Sequence, residues 1–300
     1  MKLDDHQIEQ IVCAIKNDTR SGATELTRDA LNHILSYGGS LHTLSAHQSY
    51  TNLHRLVKRL MILRPSMALL QHTLEKWLTQ VDTLDVSSNR TFITQVKALC
   101  RQLIEDIDTR QRNQIRHAIK LLATTQVILS ISRSSVLSEV FTTLPQRPLR
   151  IIVCESRPGC EGRILAEELA SAEILVDYIV DAASGLYISQ ADAVVVGADA
   201  ILADGSVVNK CGTSLLALAA QHFKVPFYVV VDSSKCTGLS RTQFILEEMP
   251  LAEINAPISP FIHPHNIYFD ISPPDTVTAY ITECGIEEKW PWSNIMRRQI

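Results

Sequence analysis

Glycine and proline are scarce in this chain, 11 and 12 in 300 residues, and aromatic residues make up only 6%. So few breakers exclude a collagen-like or low-complexity polymer, and an apolar content of 46% excludes a disordered one. No apolar run approaches the roughly 20 residues that span a bilayer. Neither charge sign dominates: 28 Lys+Arg against 32 Asp+Glu leave a formal −4, too little for a whole-protein grip on nucleic acid. A basic stripe interleaved with aromatics, which a single-strand binder needs, is missing as well. The seven cysteines (Cys13, Cys100, Cys154, Cys160, Cys211, Cys236, Cys284) are odd in number and contain no C-x-x-C pair. They read as reduced thiols, not as a disulfide framework or zinc knuckle. His263 and His265 have no carboxylate at a recognisable ligand spacing, so no metal is expected. The start Met1-Lys2-Leu3-Asp4-Asp5-His6 is polar and acidic, unlike a secretory signal, and a soluble cytoplasmic protein is expected.

What is present divides the chain in two. Apolar residues recur at spacings of three and four over 4–15 (Ile8, Ile11, Val12, Ile15), which predicts an amphipathic helix. Further helices are predicted over 23–36, ended by Gly38-Gly39; through Leu53, Leu56, Val57, Leu60 and Met61, ended at Arg64-Pro65; over 67–78; and over 93–122. Short β-branched runs follow at 127–129, 151–153, 174–176, 194–196 and 227–231, with helical stretches at 164–172 and 215–222 between several of them. Apolar strands without alternation, separated by amphipathic helices, signal a parallel sheet covered on both faces. Asp204-Gly205 reads as a small hairpin turn, and Ser272-Pro273-Pro274-Asp275 as the capped start of a last helix closed by Gly285. The expectation is an α/β protein with a helical N-terminal domain, 1–120, and a Rossmann-like domain, 121–300.

In open parallel sheets ligands sit beyond the carboxyl ends of the strands. After the first run come Ser132, Arg133 and Ser134 at a helix start, which suits an anion or is an ordinary serine cap. After the second come Glu155-Ser156-Arg157-Pro158-Gly159, where Arg157 could fork onto a phosphate or simply pair with Glu155 on the surface. Asp181 and Asp199 end two further strands. They suit acid–base work, although aspartate also favours such positions for capping. Asn209-Lys210-Cys211-Gly212-Thr213-Ser214 opens another helix, but the lysine precedes the glycine, so it is not a Walker loop. No strand is followed by the dinucleotide glycine fingerprint. The convergence points to a small anionic ligand, most simply a sugar phosphate, without a cofactor.

These landmarks carry a resemblance. Val194–Ile201 with Val207-Val208-Asn209-Lys210-Cys211-Gly212-Thr213 resembles a signature shared by two groups of proteins. One is the aldose-phosphate isomerases acting on methylthioribose 1-phosphate and ribose 1,5-bisphosphate. The other is the alpha, beta and delta regulatory subunits of the exchange factor for translation initiation factor 2. Glu155–Pro158, Asp181-Ala182-Ala183, Ser233-Ser234-Lys235 and Phe269–Pro273 are similar to further landmarks in the same order, with Ser21–Ala23 and Arg64–Ser66 less distinctive.

The resemblance implies a homo-oligomer, usually dimeric through the Rossmann-like part. It implies Gly22, Ala23, Arg64, Ser134, Arg157 and Lys210 as phosphate contacts. Asn209 and Asp199 would meet sugar hydroxyls, with Asp181 in support. It also implies catalysis by a cysteine and an aspartate. The aspartate maps onto Asp199; the cysteine maps onto Ser132, a departure. A thiol can exchange protons near neutrality, whereas a serine hydroxyl needs an adjacent base. The sequence therefore stands between an isomerase and a non-catalytic regulatory protein with a protein partner.

Overall fold

The structure, a computed structural model, describes residues 3–18, 21–64, 66–145 and 149–290. Met1, Lys2 and Pro65, invoked above, lie outside the described residues. The chain divides into two compact units, Met1–Arg110 and Gln111–Ile300.

The N-terminal unit holds α1 (Leu3–Asn17), α2 (Ala23–Ser40), α3 (Ala46–Met61), α4 (Ala68–Val81) and the first part of α5 (Asn89–Leu122). Their apolar stripes, including Ile8, Leu31, Ile34, Leu56, Leu60, Leu74, Trp77, Phe92 and Val96, are buried. α3 starts on a capping box, in which Ser45 and Gln48 satisfy each other's amides. α2 does not end at Gly38-Gly39 as expected. Gly38 is buried where a Cβ would lie 3.6 Å from Val96 and 3.8 Å from Leu53, so it serves close helix packing and the helix runs on to Ser40.

The second unit continues with β1 (Val127–Ile131), α6 (Ser135–Thr143), β2 (Arg150–Cys154), α7 (Glu161–Ser171), β3 (Leu175–Ile179), the one-turn α8 (Ser184–Tyr187) and β4 (Ala193–Val196). Then come β5 (Ala200–Ile201), β6 (Val207–Lys210), α9 (Thr213–Phe223), β7 (Phe227–Val230), β8 (Phe269–Ser272), β9 (Ala279–Thr282) and β10 (Gly285–Glu287). The main sheet has the order β10-β9-β7-β4-β1-β2-β3, parallel except for β10. The order reverses between β1 and β4, the topological switch point where such folds hold ligands.

Alternate residues of each strand feed two separate cores. Leu129, Ile152, Val194, Val196 and Val229 pack with Leu216 and Ala217 of α9. Ile128, Ile151, Val153, Val195 and Val230 pack with Leu137, Phe141, Leu165 and Leu169 of α6 and α7. Both faces are covered, which is why the runs are continuous and not alternating.

The hairpin forms as expected, with Gly205 at φ +89° and Leu202 N–H donating to Ser206 O at 2.9 Å. The last helix does not form. Pro274–Thr276 make one 3-10 turn, and the chain then extends as β9 beside β7. Val277, Tyr280, Ile281 and Thr282 are β-branched or aromatic, and an open sheet edge offers them backbone partners that a short terminal helix could not match. No helix among the described residues is long and apolar enough to cross a membrane.

Candidate functional site

The carboxyl ends of β1, β2 and β3 are tied by one chain of hydrogen bonds. Ser132, just past β1, has φ +68° and donates its backbone N–H to Ser156 Oγ at 2.6 Å. Ser156, just past β2 at φ +66°, donates its own N–H to Asp181 Oδ1 at 2.8 Å and its hydroxyl to Cys154 O at 3.0 Å. The other oxygen of Asp181 accepts from Arg157 N–H at 2.7 Å. Two non-glycine residues in the left-handed region are held there by these bonds. Asp181 thus clamps the loop, and the exposed Arg157 guanidinium makes no ion pair with any described residue. The surface pair with Glu155 is not formed. Replacing Ser156 by Ala removes the acceptor for Ser132 N–H. The variant should lose about 1–3 kcal/mol in urea unfolding, and Ser156→Thr should not recover it, because a β-branched side chain is strained at φ +66°.

Beside this clamp, Ser134 caps α6, its hydroxyl accepting from Leu137 N–H at 3.4 Å, and Arg133 pairs with Glu168 at 2.9 Å. Gly197, at the end of β4, lies against it: a Cβ there would sit 3.6 Å from Ser134 Cβ. Asp199 follows, its backbone N–H donating to Val208 O at 2.8 Å, while its carboxylate makes no hydrogen bond with the described residues. Burial pushes the Asp199 carboxyl above the usual carboxylate range, against the pull of Lys235 and Lys210 and reinforced by Glu161 and Glu247. Lys235 reaches the same place, donating to Ala198 O at 2.6 Å.

Asn209 and Lys210 end β6, and both are buried. The Asn209 amide donates to Thr213 Oγ1 at 3.0 Å, while Lys210 Nζ donates to Glu161 Oε1 at 2.6 Å and lies 4.2 Å from the centre of the Tyr268 ring. The second oxygen of Glu161 is buried without a hydrogen-bond donor among the described residues, a cost on the order of 1–3 kcal/mol. The amides at the start of α9 are occupied too. Gly212 N–H and Ser214 N–H donate to the Asp270 carboxylate at 2.7 and 3.1 Å, and burial lifts its pKa to about 6 against those bonds. The helix start that follows Lys210 already carries a carboxylate.

In the N-terminal unit, Gly22 caps α2, and a Cβ there would meet nothing within 4 Å. Ala23 is buried behind it. Arg64 is buried, and its Nη2 donates to Lys16 O at 2.9 Å and Asp18 O at 2.5 Å. Asp18 Oδ1 accepts from Ser21 N–H at 2.9 Å, so Arg64 braces the segment that leads into Gly22.

Residues 9–289 match the Initiation factor 2 subunit family. The chain belongs to that family. It is 30% identical over 283 residues to the putative translation initiation factor eIF-2B subunit 2-like protein of Pyrococcus horikoshii, covering 93% of this chain and 96% of that one. It is 34% identical over 194 residues to the ribose 1,5-bisphosphate isomerase of Archaeoglobus fulgidus, covering 62% and 61% of the two chains. The crystal structure of the Pyrococcus horikoshii translation initiation factor eIF-2B superposes with a TM-score of 0.78 at 30% identity, covering 96% of this chain and 98% of that one.

Within this family frame, Asp199 stands where the resemblance puts the acid–base aspartate and Ser132 where it puts the cysteine. Burial pushes the Cys154 thiol at the end of β2 up to about 12 and raises Cys211 as well, so neither is poised to exchange a proton near neutrality. Glu161, Ser156, Lys235 and Asp270 were not named as site residues from sequence. Ser156, Lys235 and Asp270 lie inside landmarks of the resemblance; Glu161 carries no signal apart from its nearness to Arg157.

Proposed function

We propose that the strand ends of the second unit bind a sugar phosphate, with Arg157 and Ser134 at the phosphate and Asp199 and Asn209 at the sugar hydroxyls. Lys210 lies beside them and Asp181 holds the Arg157 loop. Gly22, Ala23 and Arg64 of the N-terminal unit are proposed as phosphate contacts on the strength of the family alone. The observation that carries this reading is Asp199, a half-buried carboxyl without a hydrogen bond to the described residues, whose proton affinity burial raises against the pull of two lysines. Such a group beside a sugar's C1 and C2 can take the proton from C2 and return it at C1. The C1–ring oxygen bond breaks and the C2 hydroxyl proton passes to the released ring oxygen, which converts an aldose 1-phosphate to a ketose phosphate. The protein is then a cytoplasmic homo-oligomer. Leu175 and Tyr178 on β3, exposed with the neighbouring Val180, form an apolar edge that a second copy would cover.

Ser132 favours a second reading. Without the thiol the site binds but does not turn over, and ligand occupancy is passed to a protein partner, as in a regulatory subunit. A thermal-shift panel of pentose mono- and bisphosphates and nucleoside monophosphates, followed by product analysis, decides between them. A true ligand at a hundredfold its Kd adds about 2.7 kcal/mol of stability. Stabilisation with a ketose product supports the isomerase, stabilisation without product the sensor, and a panel without effect overturns both.

A further inference from the structure

Glu161 and Lys210 form a buried pair whose charges cancel inside a site proposed to hold an anion. The first residue of α7 meets the last residue of β6, with Nζ and Oε1 2.6 Å apart. Lys210 has no other hydrogen-bond acceptor among the described residues. Otherwise its ammonium faces aromatic rings, Tyr268 at 4.2 Å and Phe269 at 5.5 Å from the ring centres. The Glu161 carboxylate is pinned from above by the loop after β2: a Cβ at Gly159 would lie 2.6 Å from Oε1. A phosphate approaching Lys210 therefore meets an ammonium whose charge is already matched, while the exposed Arg157 guanidinium stays free for it.

On the reading that these strand ends bind a sugar phosphate, we infer that Glu161 limits the anion capacity of the site: it holds Lys210 away from the ligand's phosphate and leaves that charge to Arg157. Lys210 then serves the uncharged, hydroxyl-bearing part of the ligand, and a phosphate engages it only when Glu161 is neutral or displaced. The pair is also poorly completed, because Glu161 Oε2 has no donor among the described residues. A ligand able to supply one would stabilise it in place.

The test is isothermal titration of the full chain with inorganic phosphate and, separately, ribose 5-phosphate. Glu161→Gln keeps the side-chain shape and frees Lys210, so phosphate should bind about tenfold more tightly, the worth of one hydrogen bond to a charged group. In the double variant Glu161→Gln with Lys210→Met the gain should vanish, and this variant leaves no stranded charge to disturb folding. Phosphate binding no tighter in Glu161→Gln, or a gain that persists without Lys210, overturns the inference. Wild type that ignores ribose 5-phosphate while Glu161→Gln still gains phosphate through Lys210 upholds the gate and overturns the sugar-phosphate reading.

Discussion

Gly162→Ala should leave little folded protein at 37 °C. An ideal Cβ at position 162 lies 1.9 Å from Cys154 O, 2.9 Å from Cys154 C and 3.1 Å from Glu155 C, and all three are backbone atoms. No rotamer change relieves such a clash. Either α7 moves off the end of β2 or the loop before it unwinds, and the cost exceeds about 3 kcal/mol against a typical domain stability of about 5–15 kcal/mol. The loss reaches the site because the same helix start places Glu161 on Lys210. Gly22→Ala is the control: its φ is −71° and nothing lies within 4 Å of the added methyl. Urea and thermal melts should separate the two variants clearly, and a Gly162→Ala midpoint close to wild type would show that α7 can slide without penalty.

Asp199→Asn should stop turnover and strengthen the fold together. Burial raises the folded pKa of Asp199 above the unfolded value near 3.8, so the native state holds a proton that the unfolded state has released in the window between the two. The sign follows. Stability falls as pH rises through that window and stays lower above it, because the ionised carboxylate is held in a poorly solvated place. Asparagine removes the penalty, so the variant should melt above wild type at neutral pH, with the gap closing towards pH 3. If the chain is an isomerase, losing the proton carrier costs about 10²–10⁴-fold in rate, while the affinity for the sugar phosphate changes far less. Activity retained in Asp199→Asn would remove it from the chemistry. A wild type without activity, joined to a stabilised Asp199→Asn that still binds, would point to the sensor.

The placement of several candidate site residues was legible because strand-end chemistry is written locally. A β-branched run followed by serine, arginine, aspartate or asparagine places that side chain at the sheet's carboxyl edge, whatever the strand order. Ser132, Arg157 and Asp181 needed no more than this to be placed there, whereas Asn209 lies within β6 of a separate antiparallel sheet, β5-β6-β8, which the rule does not cover. What the run could not show is which of these groups are already engaged. Asp181 turned out to grip backbone amides 24 and 25 residues away, and Lys210 to pair with Glu161 across 49 residues. Spacing in sequence carries no information on such partners.

The failed prediction has a similar cause. Ser272-Pro273-Pro274 is a sound helix start, and one 3-10 turn does form there. The continuation was settled by an edge of the main sheet, which the local pattern could not see. The helical half, the parallel strands and the hairpin at Asp204-Gly205 follow from periodicity and turn chemistry that lie within a few residues of each other. The cancellation of Lys210 by Glu161, the carboxylate seated on α9 and the partial burial of Asp199 beside Lys235 and Lys210 arise from groups far apart in the chain. Only the packed fold, by excluding water and fixing distances, could decide those.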